Sequence, residues 1–204
     1  MTAHATDYRW FSEAFPGLRE AYCLTLVEGV SPEELLRRAG AEPEERHTGV
    51  SELVEAAYDA WDEYDGDRLF IAATPLGGWA LAVEPNGYLG IAAPVLAALS
   101  AGTRLVSHFR NVNAVDHFHW QRDGHNLLHF EPLFPARRDG SEAGAAAGIM
   151  REAGFDLTEG DEHDHALHTE AAFALAERLT GVRLTAELLE SAVFVAGTAP
   201  RPRG

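Results

Sequence analysis

The run HFHWQRDGHNLLHF at positions 117–130 restricts the fold more than any other stretch of this chain. Phe118, Trp120, Leu128 and Phe130 alternate with His117, His119 and His129, and Arg122-Asp123-Gly124 interrupts the run near its middle. A two-residue period belongs to strands, so the segment is an antiparallel ribbon with its own turn. A three-residue loop, Arg122 to Gly124, would pair Gln121 with His125, His119 with Leu127 and His117 with His129. One face would then hold Asp116, Phe118, Trp120, Leu128 and Phe130, and the other His117, His119, His125 and His129. A two-residue Asp123-Gly124 loop would shift the pairing by one and mix imidazole with aromatic on both faces. Because a core requires one clean apolar face, the longer loop is expected.

The rest of the chain fits the same style of fold. Residues 21–28 alternate as a strand, and SPEELLRRAG follows as a helix, with Ser31 as N-cap, Pro32 at its first position, Glu34 completing a capping box and Gly40 at its end. Between 50 and 64, Val50, Leu53, Val54, Ala57, Tyr58, Trp61 and Tyr64 recur at helical spacing. Strands are expected at 68–74, 78–84, 88–91 and 103–112, with 78–91 a hairpin turning at Pro85-Asn86-Gly87, and a short helix over 93–102. Gly77-Gly78 reads as a turn. Residues 136–148 are small and lack an apolar period, which reads as a loop or linker after a main unit at 1–135. Beyond it, a short helix near 149–154 precedes two helices capped by Thr169 and Thr185, expected to form an αα-hairpin on the same domain. The expected class is α+β: a mostly antiparallel sheet of about six or seven strands, helices on one face and a C-terminal αα-hairpin.

Bulk properties exclude several functions. At 204 residues, 46% of them hydrophobic, the chain can bury a substantial core. The longest near-apolar run, 91–99, contains Pro94 and is far short of a membrane span. The start lacks the basic and apolar regions of a signal peptide, and a single Cys23 permits no internal disulfide, so a cytoplasmic protein is expected. A formal net charge of −16 disfavours nucleic acid and anionic lipid as partners. The sixteen basic residues are all arginine, a skew that reads as coding bias.

Two places could carry chemistry. The first is the histidine face, which admits three readings. His117, His119 and His129 could hold zinc with a fourth position open, the layout of a metal-dependent hydrolase. The same face with His125 could bind a partner or small ligand without metal, or the four rings could be individually hydrogen-bonded or solvated. The second place is the helix at 50–64, whose outer side and end accumulate Glu52, Glu55, Asp59, Asp62, Glu63, Asp65 and Asp67 where the helix dipole is already negative. Such a surface would attract a basic or Arg-rich partner, with Asp59, Asp62, Glu63 and Asp65 as contacts. Asp161 to His165 with His168 could add metal ligands, but a loop positions ligands poorly. Cys23, inside a strand, reads as a small buried hydrophobe, and no nucleophile elbow, phosphate loop, dinucleotide fingerprint or H-E-x-x-H is present.

The segments YCLTLVEGVSPEELLRRAGA, GWALAVEPNGYLG, LSAGTRLVSHFRNVNAV, FHWQRDG and LTGVRLTAELLESAVFVAG resemble an uncharacterised actinobacterial family of roughly 200-residue proteins, a domain of unknown function. The resemblance runs over 20–197; it implies one α+β unit and brings no activity or catalytic residues. In size and charge the chain is also similar to immunity and interaction domains of bacterial conflict systems. The leading expectation is therefore a non-enzymatic, immunity-like binding module without a cofactor. The alternative is the zinc hydrolase.

Overall fold

In the computed structural model, which describes residues 2–160 and 164–202, the chain runs α1 (Trp10–Ala14), α2 (Pro16–Glu20), β1 (Tyr22–Glu28), α3 (Pro32–Arg38), β2 (Glu45–Thr48), α4 (Gly49–Tyr64), β3 (Arg68–Leu76) and β4 (Trp79–Pro85). It continues through α5 (Ala93–Ser100), β5 (Arg104–Arg110), β6 (Asp116–Arg122), β7 (His125–Phe130), β8 (Arg138–Asp139), α6 (Ala147–Ala153), α7 (His168–Thr180), α8 (Ala186–Ser191) and β9 (Val193–Pro200). Single 3-10 turns lie at Ala5–Tyr8 and Leu89–Ile91. Among the described residues the strands form one nine-stranded antiparallel sheet in the order β2-β9-β3-β4-β1-β5-β6-β7-β8. The fold is α+β, as expected, and none of its described helices is long and apolar enough to cross a membrane.

The strands differ from the expected six or seven in identifiable ways. The expected strand at 88–91 is instead the 3-10 turn Leu89–Ile91, because the Glu84 carboxylate accepts the backbone N–H groups of Leu89 and Gly90 at 2.7 and 2.9 Å. Gly90 also lies flat on the sheet, where an added Cβ would collide with Thr25 Oγ1. The hairpin turn lies instead at Gly77-Gly78, both with positive φ, joining β3 to β4. Three strands carry weak sequence signals: β2 is polar and at an edge, β8 has two residues, and β9 contains Gly197 and Pro200. The expected αα-hairpin is not confirmed. α7 and α8 both form, Thr185 caps α8 through the Leu188 N–H, and the chain then turns back as β9 between β2 and β3. Thr169 lies inside α7 rather than at its cap. Ser31 caps α3 as expected, while Glu34 pairs with Arg37 and Arg38.

Helices cover both faces of the sheet, not one. On the first face, Tyr22, Leu24, Leu26, Phe118, Leu128 and Phe130 pack with residues of α1, α4, α6, α7 and α8. On the second, Val27, Ile71, Ala82 and Leu105 pack with Leu35 and Leu36 of α3 and Leu96 and Leu99 of α5. The strand residues of this second cluster come from β1, β3, β4, β5 and β9. The hydrophobic packing of the second face therefore stops at β5, and the margin formed by β6, β7 and β8 presents histidines there instead.

Candidate metal centre

Strand alternation puts His117 and His119 on one face of β6, and pairing with β7 sets His129 directly across from His119. This register differs from the expected one. Arg122 faces His125, Gln121 faces Asn126 and Trp120 faces Leu128, with a bulge between Trp120 and Gln121. The loop has two residues, Asp123 and Gly124, both with positive φ, the requirement of a type I′ turn. The bulge inserts Leu127, restores the alternation and keeps Phe118, Trp120, Leu128 and Phe130 together. The clean apolar face is realised; the route to it is a short turn and one extra residue. Tertiary contacts select that turn: the Asp123 carboxylate accepts the Gly102 N–H, the Asp123 N–H donates to Thr103 O, and the Gly124 N–H donates to Ser100 Oγ.

His125, opposite Arg122 at the exposed turn, shares the alternation of Trp120 and so leaves the histidine face. The other three converge. His129 Nε2 and His117 Nδ1 are 3.3 Å apart, and one ring nitrogen from each of His117, His119 and His129 lies within 4.8 Å of the others. The His119 and His129 rings stack at 4.4 Å between centroids, and His117 and His129 at 5.4 Å. Two nitrogens that are each about 2.0–2.1 Å from a tetrahedral ion are separated by about 3.3 Å.

Electrostatics favour the neutral form of His117 and His119. Burial, reinforced by repulsion from His129 and His117, pushes His119 down to about 3, and burial with the His129 contribution lowers His117. Neutral imidazole is the form that ligates metals. Cross-strand pairing continues from His129 to Asp139 of β8, whose Oδ2 lies 3.5 Å from His129 Nδ1 and whose Oδ1 accepts from Asn126 Nδ2 at 2.7 Å. A carboxylate behind one imidazole nitrogen orients the other toward a ligand. In the opposite direction the same row continues through Ser107 to Thr25, which are hydrogen-bonded at 3.0 Å. Cys23 is buried beside them, and burial raises its thiol well above the usual range.

Other candidate residues lie elsewhere. Asp116 is fully buried on the opposite face, where it binds Arg110 Nη1 at 2.9 Å and His168 Nε2 at 3.1 Å. Burial lowers the His168 pKa, but its hydrogen bonds to Asp116 and the His165 carbonyl outweigh that and raise it overall. His168 thus belongs to a buried ion cluster, while Asp161, Glu162 and His163 lie outside the described residues. Asp59, Asp62, Glu63 and Asp65 are exposed and form no ion pair with arginine or histidine among the described residues. Asp65 also has a structural role, because with φ of 49° it is the left-handed C-cap of α4. Sequence reasoning missed Asp139, because it lies in a stretch of small residues and its two-residue strand is defined only by pairing with β7.

Comparison with known proteins places residues 1–203 within a family described as a family of unknown function (DUF6461). Neither a curated protein nor a solved structure matches the chain.

Proposed function

The chain belongs to this family of unknown function, and from that premise we propose that it binds one divalent transition-metal ion through His117, His119 and His129 and uses the open coordination position for hydrolysis. The observation that carries the reading is the convergence of three ring nitrogens from two adjacent strands, two of them already at ligand separation. All-nitrogen donors suit zinc or cobalt over calcium or magnesium. An ion with three protein ligands and a free position lowers the pKa of bound water toward neutrality, which supplies a nucleophile. Cobalt titration of the metal-free protein tests this: one equivalent with the visible absorption of a tetrahedral nitrogen site is expected, and its loss in His119→Ala. Equal uptake by wild type and His119→Ala would refute it.

A second reading has its own support. Beside the exposed carboxylates of α4, Tyr58 and Trp61 are 65% and 43% exposed. With Val54, Ala57, Val112 and Glu20 they line a cavity of about 150 Å³. Exposed aromatics with an acidic border suit a basic protein partner. A partner recovered at low salt, and lost both at high salt and with Trp61→Ala, is the expected result. Retention by Trp61→Ala would remove this surface from consideration.

A further inference from the structure

The cavity above the histidines has a composition that specifies its ligand. About 430 Å³ in volume, it is lined by His117 and His129 and walled by Glu131, Phe134, Arg137 and Asp139. A second cavity of about 520 Å³, bordered by Thr158, Glu159 and Gly160, shares Phe134 and Arg137 with the first. The two arginines at this place act differently. Arg138 donates to the carbonyls of Ala143 and Ala136 at 2.8 and 3.2 Å and so ties the 136–143 loop together. Arg137 is exposed, and its guanidinium forms no ion pair or hydrogen bond among the described residues; only its backbone N–H is used, donating to Phe134 O at 3.0 Å. The loop is fastened by one guanidinium and presents the next one over the histidines.

The charges give that cation a purpose. Around the first cavity the acidic side chains of Glu131 and Asp139 stand against the guanidiniums of Arg137 and Arg138. Loading a divalent ion leaves the cavity positive inside a molecule whose net charge is −16. Anion affinity should therefore appear only with the metal in place. We infer that this cavity takes a small anionic substrate, its carboxylate or phosphate held by Arg137 with the reactive carbonyl or phosphoryl oxygen at the metal and the apolar part against Phe134. Guanidinium suits this role because its planar donors match the oxygens of either acid group. The inference rests on the three-histidine reading and adds to it the substrate class and its anchoring residue.

Cobalt-loaded protein titrated with inorganic phosphate, and separately with acetate, tests it through the change in the cobalt spectrum. Saturable binding of at least one probe is expected, and the tighter probe identifies the acid group. Arg137→Ala should weaken that binding roughly tenfold to a hundredfold, with cobalt affinity unchanged within about twofold, and Arg137→Lys should recover part of the loss. Metal-free protein should bind neither probe. Equal probe affinity in wild type and Arg137→Ala, or equal affinity with and without cobalt, overturns the inference while the metal centre stands. Failure of the wild type to take up cobalt overturns both.

Discussion

Glu84 is enclosed by the sheet and the 3-10 turn that follows it, and burial raises its pKa to about 7 although the Leu89 and Gly90 N–H groups act in the opposite direction. A carboxyl raised in the folded state favours folding while protonated, so its contribution is present below the unfolded value near 4.5 and lost as pH rises through about 7. Linkage puts the loss at up to about 3 kcal/mol. Urea unfolding at pH 5 and 8 should therefore show a smaller alkaline loss in Glu84→Gln than in wild type; equal losses would contradict the assignment. His108 has the reverse sign. Burial holds it down to about 4, so stability is lost as pH falls from about 6.5 toward 4. At the histidine site, Asp139 Oδ2 lies 3.5 Å from His129 Nδ1, so in the proposed metal centre it would orient His129 without being a ligand. Asp139→Asn is expected to lower cobalt affinity roughly tenfold to a hundredfold, read by competition with a chelating dye, whereas removing a direct ligand such as His119 should abolish specific binding.

The β6–β7 hairpin is the element on which the site depends, and its register is fixed at one end by the Asp123-Gly124 turn and in the middle by the Leu127 bulge. Gly124 has φ of 74°, and its turn is fastened to the end of α5 through Ser100. Gly124→Ala should cost about 1 kcal/mol in chemical denaturation, and Gly124→Val more, because a side chain is strained in the left-handed region. Removing Leu127 is more informative, since it is the one residue of β7 without a partner on β6, and its loss leaves the Trp120–Leu128 and His119–His129 pairs in register. The deletion is expected to keep cobalt uptake in a chain that circular dichroism shows to be folded; loss of uptake by the folded variant would mean that the bulge itself shapes the site. α4 shows how an element can satisfy one local rule while breaking another. Its acids oppose the dipole, but Asp65 supplies the left-handed cap that ends the helix.

Across the whole protein, the sheet is covered by helices over most of both faces, and the candidate centre sits where the hydrophobic packing of the second face gives way to polar side chains. The three proposed ligands come from strands that pair with each other, so an ion there would tie β6 to β7 near the sheet margin and favour the folded state. Free zinc at about a hundred times its dissociation constant should stabilise the fold by about 2.7 kcal/mol. The melting temperature should rise on zinc addition, fall back with chelator and stay unchanged by zinc in His119→Ala. A rise of the same size in that variant would place the stabilising ion at another site.

The order of residues alone was enough to set the class of fold, the helices with clear caps and periods, and the ribbon at 117–130 with an aromatic inner face and imidazoles opposite. Those depend on local spacing, which strand and helix geometry translate directly into faces. The same spacing named the three histidines, since alternation by itself puts His117 and His119 together. Other features came from contacts that local spacing cannot encode. The turn length depended on groups contributed by Ser100, Gly102 and Thr103. The 3-10 turn at Leu89 depended on a carboxylate from another element, and the short or glycine-bearing strands β2, β8 and β9 depended on partners far away in the chain. Asp139 and Arg137 became visible as parts of the site only when pairing and loop packing brought them beside His129. Side-chain periodicity fixes which way a residue points; the contacts of its neighbours fix what it meets there.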